Sequence, residues 1–476
     1  EDVMAPKTSR KIQYFAGISA FTFTFTGASL AWSSPAIPKL KSGEANIEIT
    51  DTQISWLVSL NGLGALLGCY FGQEMNERIG RRRTLMGSSI PSILGAVLIM
   101  FSKMPALMYI GRFVIGIGTG IIAVATIIYI TEIADKEIRG ALGMAVQIMN
   151  NFGALLLYGV GPFVSYTVVN SIVLSLPVCY VLLCIWIPES PYYHLKDGRV
   201  QAAKKEFMKL RGTDDEKWVD DQMAVIRAHV RESMENKTTT KELLTNLKYR
   251  KALYIVAGLK LLQYMTGILV IQSYLEVIFR QSSSFSAAYS SILYGFVQIA
   301  AGLVSTFLTR WVGRRILLFA SCVGVSISMT ILGGYFYIQD ATNASPATLS
   351  SLSMMPLIGV LGFNIFYANG LGTLPYVMQA ELFPVNVKAA ASSLATMIAC
   401  ILSFVVPKCY QNIKDSLGHY TVFWTFAVVG YLGLLFIYFF VPETIGKTLE
   451  EVLDNVQNKP EEREALNEEK NGTRDA

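Results

Sequence analysis

YTVFWTFAVVGYLGLLFIYFFV, residues Tyr420–Val441, runs for 22 residues without one charge. At 1.5 Å per residue such a helix is about 33 Å long, enough to cross the roughly 30 Å hydrocarbon core of a bilayer. A water-soluble helix would interrupt the run with a polar stripe. The run is not isolated. Working back along the chain, eleven more occupy about 13–37, 54–75, 84–101, 106–131, 141–164, 170–188, 252–273, 288–309, 316–338, 354–378 and 389–408. Backbone groups in lipid need internal partners, so each run is a helix or a barrel strand, and barrel strands alternate over about ten residues, as these do not.

The composition agrees. The chain is 52% hydrophobic and 16% charged, against about a quarter charged for a soluble domain. Its net charge of +5 invites a nucleic-acid reading until the charges are placed. Lys7, Arg10, Lys11, Arg78, Arg81, Arg82, Arg83, Lys136, Arg139, Arg310, Arg314, Arg315 and Lys388 fall in tails or short loops on one side of the twelve runs. Lys39, Lys41, Lys103, Arg280, Lys408 and Lys414 fall on the other. Basic residues favour the cytosolic side, so the richer face, with both termini, is expected in the cytosol of a multi-pass plasma-membrane protein. The expected partners are a lipid bilayer and a small solute, with no nucleic acid and no metal.

The six cysteines form no CxxC pair and the three histidines are scattered, so neither a metal cluster nor a disulfide frame is indicated. No nucleophile stands in a pattern with a base. The expectation is a non-enzyme without a cofactor.

One stretch, Tyr192 to Lys251, breaks the apolar pattern. Its segments Val200–Leu210 and Trp218–Val230 carry apolar residues at helical spacing with a charged opposite face, which predicts short amphipathic helices. The sequences on either side repeat each other. GQEMNERIGRR (Gly72–Arg82) answers RWVGRR (Arg310–Arg315), Glu132 with Arg139 answers Glu381 with Lys388, and Pro188-Glu189-Ser190 answers Pro442-Glu443-Thr444. The offsets of 233, 249 and 254 residues describe a duplicated six-helix unit. The expected fold is an all-α membrane protein of twelve helices in two pseudo-symmetric bundles. Its parts are a tail 1–12, bundles 13–190 and 252–442 joined by a linker 191–251, and a tail 443–476.

These motifs, taken in order with GRFVIGIGTG (111–120), YITEIADKEIRGALG (129–143), PESP (188–191), PYVMQAELFP (375–384) and PETIGKTLEE (442–451), resemble the sugar-porter family of the major facilitator superfamily. The first run, with Trp32-Ser33-Ser34-Pro35, further resembles insect facilitated trehalose transporters. The resemblance implies facilitative transport of a sugar such as trehalose or a hexose, by alternating access about a site between the halves.

Glu77, Arg78, Arg81, Arg82, Glu132, Arg139, Arg314, Arg315, Glu381 and Lys388 gather at helix ends on one face. Ion pairs among them, crossing between the halves, would hold that side shut, since a two-state gate needs only a few kcal/mol of bias. The plainer reading is that they set topology. Arg112 is an ionisable group inside a run and is functional by default. In proton-coupled sugar porters the matching arginine faces an acid; here Ser29 stands at that position and the run carries no Asp or Glu, which favours uniport. A proton-coupled carrier, a carrier of another polar solute and a non-transporting sugar sensor remain as rivals.

Sugar recognition needs amides and hydroxyls for the substrate OH groups and an aromatic face for its CH patches. At family positions the resemblance implies Gln147, Gln263, Gln298 and, in place of a tryptophan, Tyr376; Asn150, Asn151, Gln272, Asn364 and Asn369 add amides within the runs. Interhelical hydrogen bonding is the alternative use for each. Tyr264, Leu269, Ala368 and Ala399-Cys400 replace polar family residues, so the substrate is expected to differ in detail from glucose. Asn343-Ala-Ser is a glycosylation sequon in an outward loop, whereas Asn236-Lys-Thr and Asn471-Gly-Thr lie on the cytosolic side.

Overall fold

A computed structural model describes residues 10–135, 138–235, 247–282, 286–342, 344–383 and 385–444. Among these residues there is no strand, and eleven helices are long and apolar enough to cross a membrane. A twelfth, less apolar one, Arg10–Ala31, packs among them and continues past Trp32 as Ser33–Lys41. Numbered in chain order, span 1 is this pair and span 2 is Asp51–Ile79. Span 3 is Arg81–Gly87 with Ser89–Met100, span 4 is Pro105–Ile133, span 5 is Arg139–Val160 and span 6 is Tyr166–Cys184. The second half repeats the pattern: span 7 is Leu247–Met265 with Ile268–Ser282, span 8 is Ala287–Trp311 and span 9 is Arg314–Ala341. Span 10 is Met355–Ala368 with Leu374–Glu381, span 11 is Val385–Leu417 and span 12 is His419–Phe440.

Two departures from the expected runs matter. Span 7 continues to Ser282 and breaks at Thr266-Gly267, where Gly267 takes φ +93°. Span 10 breaks over Asn369–Thr373, the sequence Asn-Gly-Leu-Gly-Thr, before Pro375 opens the next helix at a position where a missing N–H costs nothing. Lipid tolerates such breaks only where protein or a cavity surrounds them.

The first half is held by backbone contact. A Cβ on Gly64 would lie 2.0 Å from the carbonyl oxygen of Phe113, and one on Gly116 would lie 2.3 Å from that of Asn61. Spans 2 and 4 therefore touch main chain to main chain, the packing that small residues permit in membranes. Between the halves, span 2 packs on span 11, span 5 on span 8 and span 1 on span 7. The first of these contacts is intimate at mid-depth, where a Cβ on Gly62 would meet Ser403 Oγ at 2.5 Å. Towards the face opposite the linker it goes on through Trp56 with Phe404, rings 6.0 Å apart, and through Lys408 Nζ donating to Ser55 Oγ at 2.8 Å.

The linker forms helices Pro191–Lys196, Val200–Arg211 and Glu216–Glu235, close to the two predicted segments. Their apolar faces make a small core of Leu195, Ala203, Phe207, Val219, Met223 and Val230. Polar contacts dock this unit on the first half: Lys196 with Glu77 at 2.9 Å, Arg211 with Asp135 at 2.5 Å, and the Tyr193 hydroxyl donating to the Arg78 carbonyl at 3.0 Å.

Candidate functional site: amides between two clamped halves

At the linker face the duplicated motifs form two copies of one clamp. In the first, Arg81 is buried, pairs with Glu132 at 2.7 Å and donates to the Asn76 carbonyl at 2.7 Å. Glu189 accepts from the main-chain N–H groups of Arg81 (2.8 Å), Arg82 (3.1 Å) and Ser190 (2.9 Å). In the second, Arg314 pairs with Glu381 at 3.2 Å and donates to the Thr309 carbonyl at 2.7 Å. Glu443 accepts from the N–H groups of Arg314 (2.9 Å), Arg315 (3.1 Å) and Thr444 (3.0 Å). Even the hydroxyls correspond, with Ser190 donating to Glu132 and Thr444 to Glu381. Burial pushes the Glu189 carboxyl above its ordinary value near 4.5, against the pull of the three N–H donors.

In this conformation the described pairs lie within each half, and the expected lock between the halves also involves Arg139 and Lys388. Arg81 with Glu132, and Arg314 with Glu381, each close within one half. Arg78 pairs with Glu74 on its own helix, Arg82 donates to the Ile185 carbonyl and Arg315 to the Tyr438 carbonyl. Sequence lists the charges on a face but not which ones meet, because in-half and cross-half pairing use the same residues. Glu189 and Glu443 were legible as a repeat and were missed as the acids that hold the turns after spans 2 and 8. The side chains of Arg139 and Lys388, and all of Asn343, lie outside the described residues.

Deeper in, Arg112 is 2% exposed and has no carboxylate within ion-pairing distance among the described residues. Its Nε donates to the Leu57 carbonyl at 3.1 Å and its Nη1 to the Ser29 carbonyl at 2.9 Å. Its guanidinium lies 5.1 Å from the centre of the Trp32 ring, whose Nε1 donates to Asn170 Oδ1 at 2.8 Å. The donors of Arg112 are thus taken by carbonyls of spans 1 and 2.

The predicted amides fall into groups. Gln147 Nε2 donates to Asn151 Oδ1 at 3.0 Å, and Asn151 Nδ2 reaches across the halves to the Gln298 carbonyl at 3.4 Å. The Gln298 side-chain oxygen is buried without a protein partner, the condition of an acceptor awaiting a donor. In the second half Gln263 Nε2 donates to the Gly372 carbonyl at 3.2 Å, which ties span 7 to the break in span 10. Tyr264 and Tyr367 adjoin Tyr376 there. Asn364 donates to the Tyr294 carbonyl at 3.1 Å. Asn150 sets its carbonyl against Gly27, and Gln272 offers its carbonyl to the Tyr158 hydroxyl at 3.1 Å. Lys260 was missed altogether. It is 1% exposed on span 7, donates to Gln263 Oε1 at 3.1 Å, and places Nζ 3.2 Å from the centre of the Tyr376 ring. A lone lysine inside an apolar run was the signal.

Two clamped bundles that meet across buried amides form an arrangement able to bind and move a solute. The family described as "Sugar (and other) transporter" matches residues 12–455. This chain belongs to that family. Among its curated relatives is the facilitated trehalose transporter Tret1 of Bombyx mori, 33% identical over 90% of this chain and 83% of that protein. The protein of the same name from Drosophila willistoni is 31% identical over 89% of this chain but 48% of its own length, so the chain spans about half of that longer relative. The fold matches the xylose transporter XylE from E. coli in an inward open conformation, with 20% identity, a TM-score of 0.76, and coverage of 94% of this chain and 100% of that one. A structure described as a D-xylose-proton symporter matches with a TM-score of 0.70. The chain is thus a multi-pass membrane transporter with the twelve-helix major facilitator fold.

Proposed function

We propose that this transporter is a uniporter that carries a sugar such as trehalose or a hexose across the plasma membrane, with its termini and linker in the cytosol. The halves, residues 13–190 and 252–442, rock about the cleft holding Gln147, Asn151, Gln263, Gln298 and Tyr376. The in-half clamps keep each bundle rigid as it tilts, and the tight contact of spans 2 and 11 supplies a pivot. The names of the relatives support the sugar. Arg112 carries the choice of uniport: it is satisfied by carbonyls, and among the described residues no acid pairs with it to take up and release a proton with each cycle.

A proton-coupled cycle is the second reading, favoured by the fold match to a symporter. Uptake into proteoliposomes separates the two. A competition panel of trehalose, glucose, fructose and sugar alcohols identifies the sugar, and the uniport reading expects its flux to be unchanged by an inward proton gradient. Acceleration by that gradient would overturn it. A glycan on Asn236 instead of Asn343 would overturn the orientation.

A further inference from the structure

Lys260 is a buried cation that the sugar uniport reading leaves unexplained. Among the described residues four other charged side chains are buried, and each has ionic or main-chain compensation. Arg81 has Glu132, Glu189 has three N–H donors, and Glu276 has Arg280 at 2.7 Å. Arg112, the fourth, spends its donors on carbonyls of two spans. Lys260 has one amide oxygen and one aromatic face, both neutral. Among the described residues no carboxylate lies within 4.0 Å of it.

Such partners repay a buried ammonium poorly. A cation on an aromatic face gains about 2 kcal/mol when desolvated, whereas removing an ion from water costs several. One of the three ammonium N–H groups is committed to Gln263. Tyr376, the residue covering the charge, is itself 53% exposed. It also sits on the short helix Leu374–Glu381 that follows the break in span 10. A change in one side chain, on a segment already detached from the rest of its span, uncovers the charge.

We propose that Lys260 reads a carboxylate on the transported solute, so that the cleft accepts sugar acids of single negative charge in preference to their neutral parents. This rests on the reading that the cleft between the halves is the sugar site. The carboxylate supplies the missing counter-charge, and Tyr376, freed from the ammonium, turns its ring to the sugar's CH face. Gln263 couples the event to the Gly372 carbonyl, at the joint on which the short helix of span 10 turns.

The test uses the full chain in proteoliposomes, with labelled glucose and labelled glucuronate in counterflow. Wild type is expected to favour glucuronate, with an inside-positive potential accelerating glucuronate but not glucose. In Lys260→Gln the glucuronate-to-glucose ratio should fall by about tenfold, the scale of one charged hydrogen bond, and Lys260→Arg should restore most of it. If wild type carries glucose but neither carries nor is inhibited by glucuronate, the proposal is wrong while the uniport reading stands. Stronger inhibition by the dianion glucose 6-phosphate than by glucuronate would also overturn it. If neither sugar moves or binds, both readings fall. The potential dependence is read on wild type alone, so a poorly folding variant does not rescue the idea.

Discussion

The two clamps are built from equivalent residues, yet they are not equally buried. The Arg81 and Glu132 side chains are 1% and 15% exposed, and those of Arg314 and Glu381 are 17% and 30% exposed. The first clamp lies under the docked linker, with the Tyr193 ring centre 5.7 Å from the Arg81 guanidinium carbon. The interiors differ in the opposite sense. The first half is knit by glycine contacts between spans 2 and 4, whereas the second carries breaks in spans 7 and 10 and most of the polar groups beside them. The same duplicated unit has thus become a stiff half and a half with joints, because burial and helix continuity depend on what each copy packs against.

The sharpest way to break this comparison is at the arginines. Arg81→Ala strands the carboxylate of Glu132 at a largely buried pair and should cost about 3–5 kcal/mol, measured as lost yield or a lower melting temperature in detergent. Arg314→Ala, at a more exposed pair, should cost about 1–3 kcal/mol. Equal losses would mean that the linker's cover contributes nothing.

In the cleft, Gln263→Ala should cut sugar uptake about tenfold without loss of surface expression, since it removes a partner of the broken span. Gln147→Ala should cut it less, because its amide is held by one neighbour of its own half. Wild-type rates in both would remove these residues from the site.

A smaller effect follows from Glu189. Its carboxyl is held above the unfolded value, so the native state binds the proton more tightly. This group's contribution is fully present below about pH 4.5 and is lost as pH rises through its folded value. The melting temperature of Glu189→Gln should therefore gain on wild type between pH 4.5 and 7, and a gap independent of pH would contradict this. The smallest expected effect is at Arg78, whose pair with Glu74 is exposed on one helix. Arg78→Ala should change stability by less than about 1 kcal/mol.

The spans were legible because hydrocarbon thickness acts on each one locally. The duplication was legible because the clamp is written in three short motifs. The break in span 10 was also present, as Asn369-Gly370 and Gly372 ahead of Pro375, but the apolar run around it hid the signal. What could not be read was the pairing of charges: Arg81 chooses Glu132 through the way spans 3 and 4 approach, and no spacing rule supplies that. Lys260 escaped for a related reason. A search for acids as proton carriers passes over a base, and its ring partner on span 10 lies more than a hundred residues away.

In this account the first half, with its linker, moves as one body against the second. That motion is tested most directly by distances between spin labels on the linker face, in a background with the six native cysteines replaced. Arg78→Cys and Trp311→Cys, at exposed ends of spans 2 and 8, report across the halves; Arg78→Cys and Gln201→Cys report within the first half and its linker. Saturating sugar should shift the first distance and leave the second unchanged. A shift in the second, or none in the first while the sugar is being carried, would contradict the account.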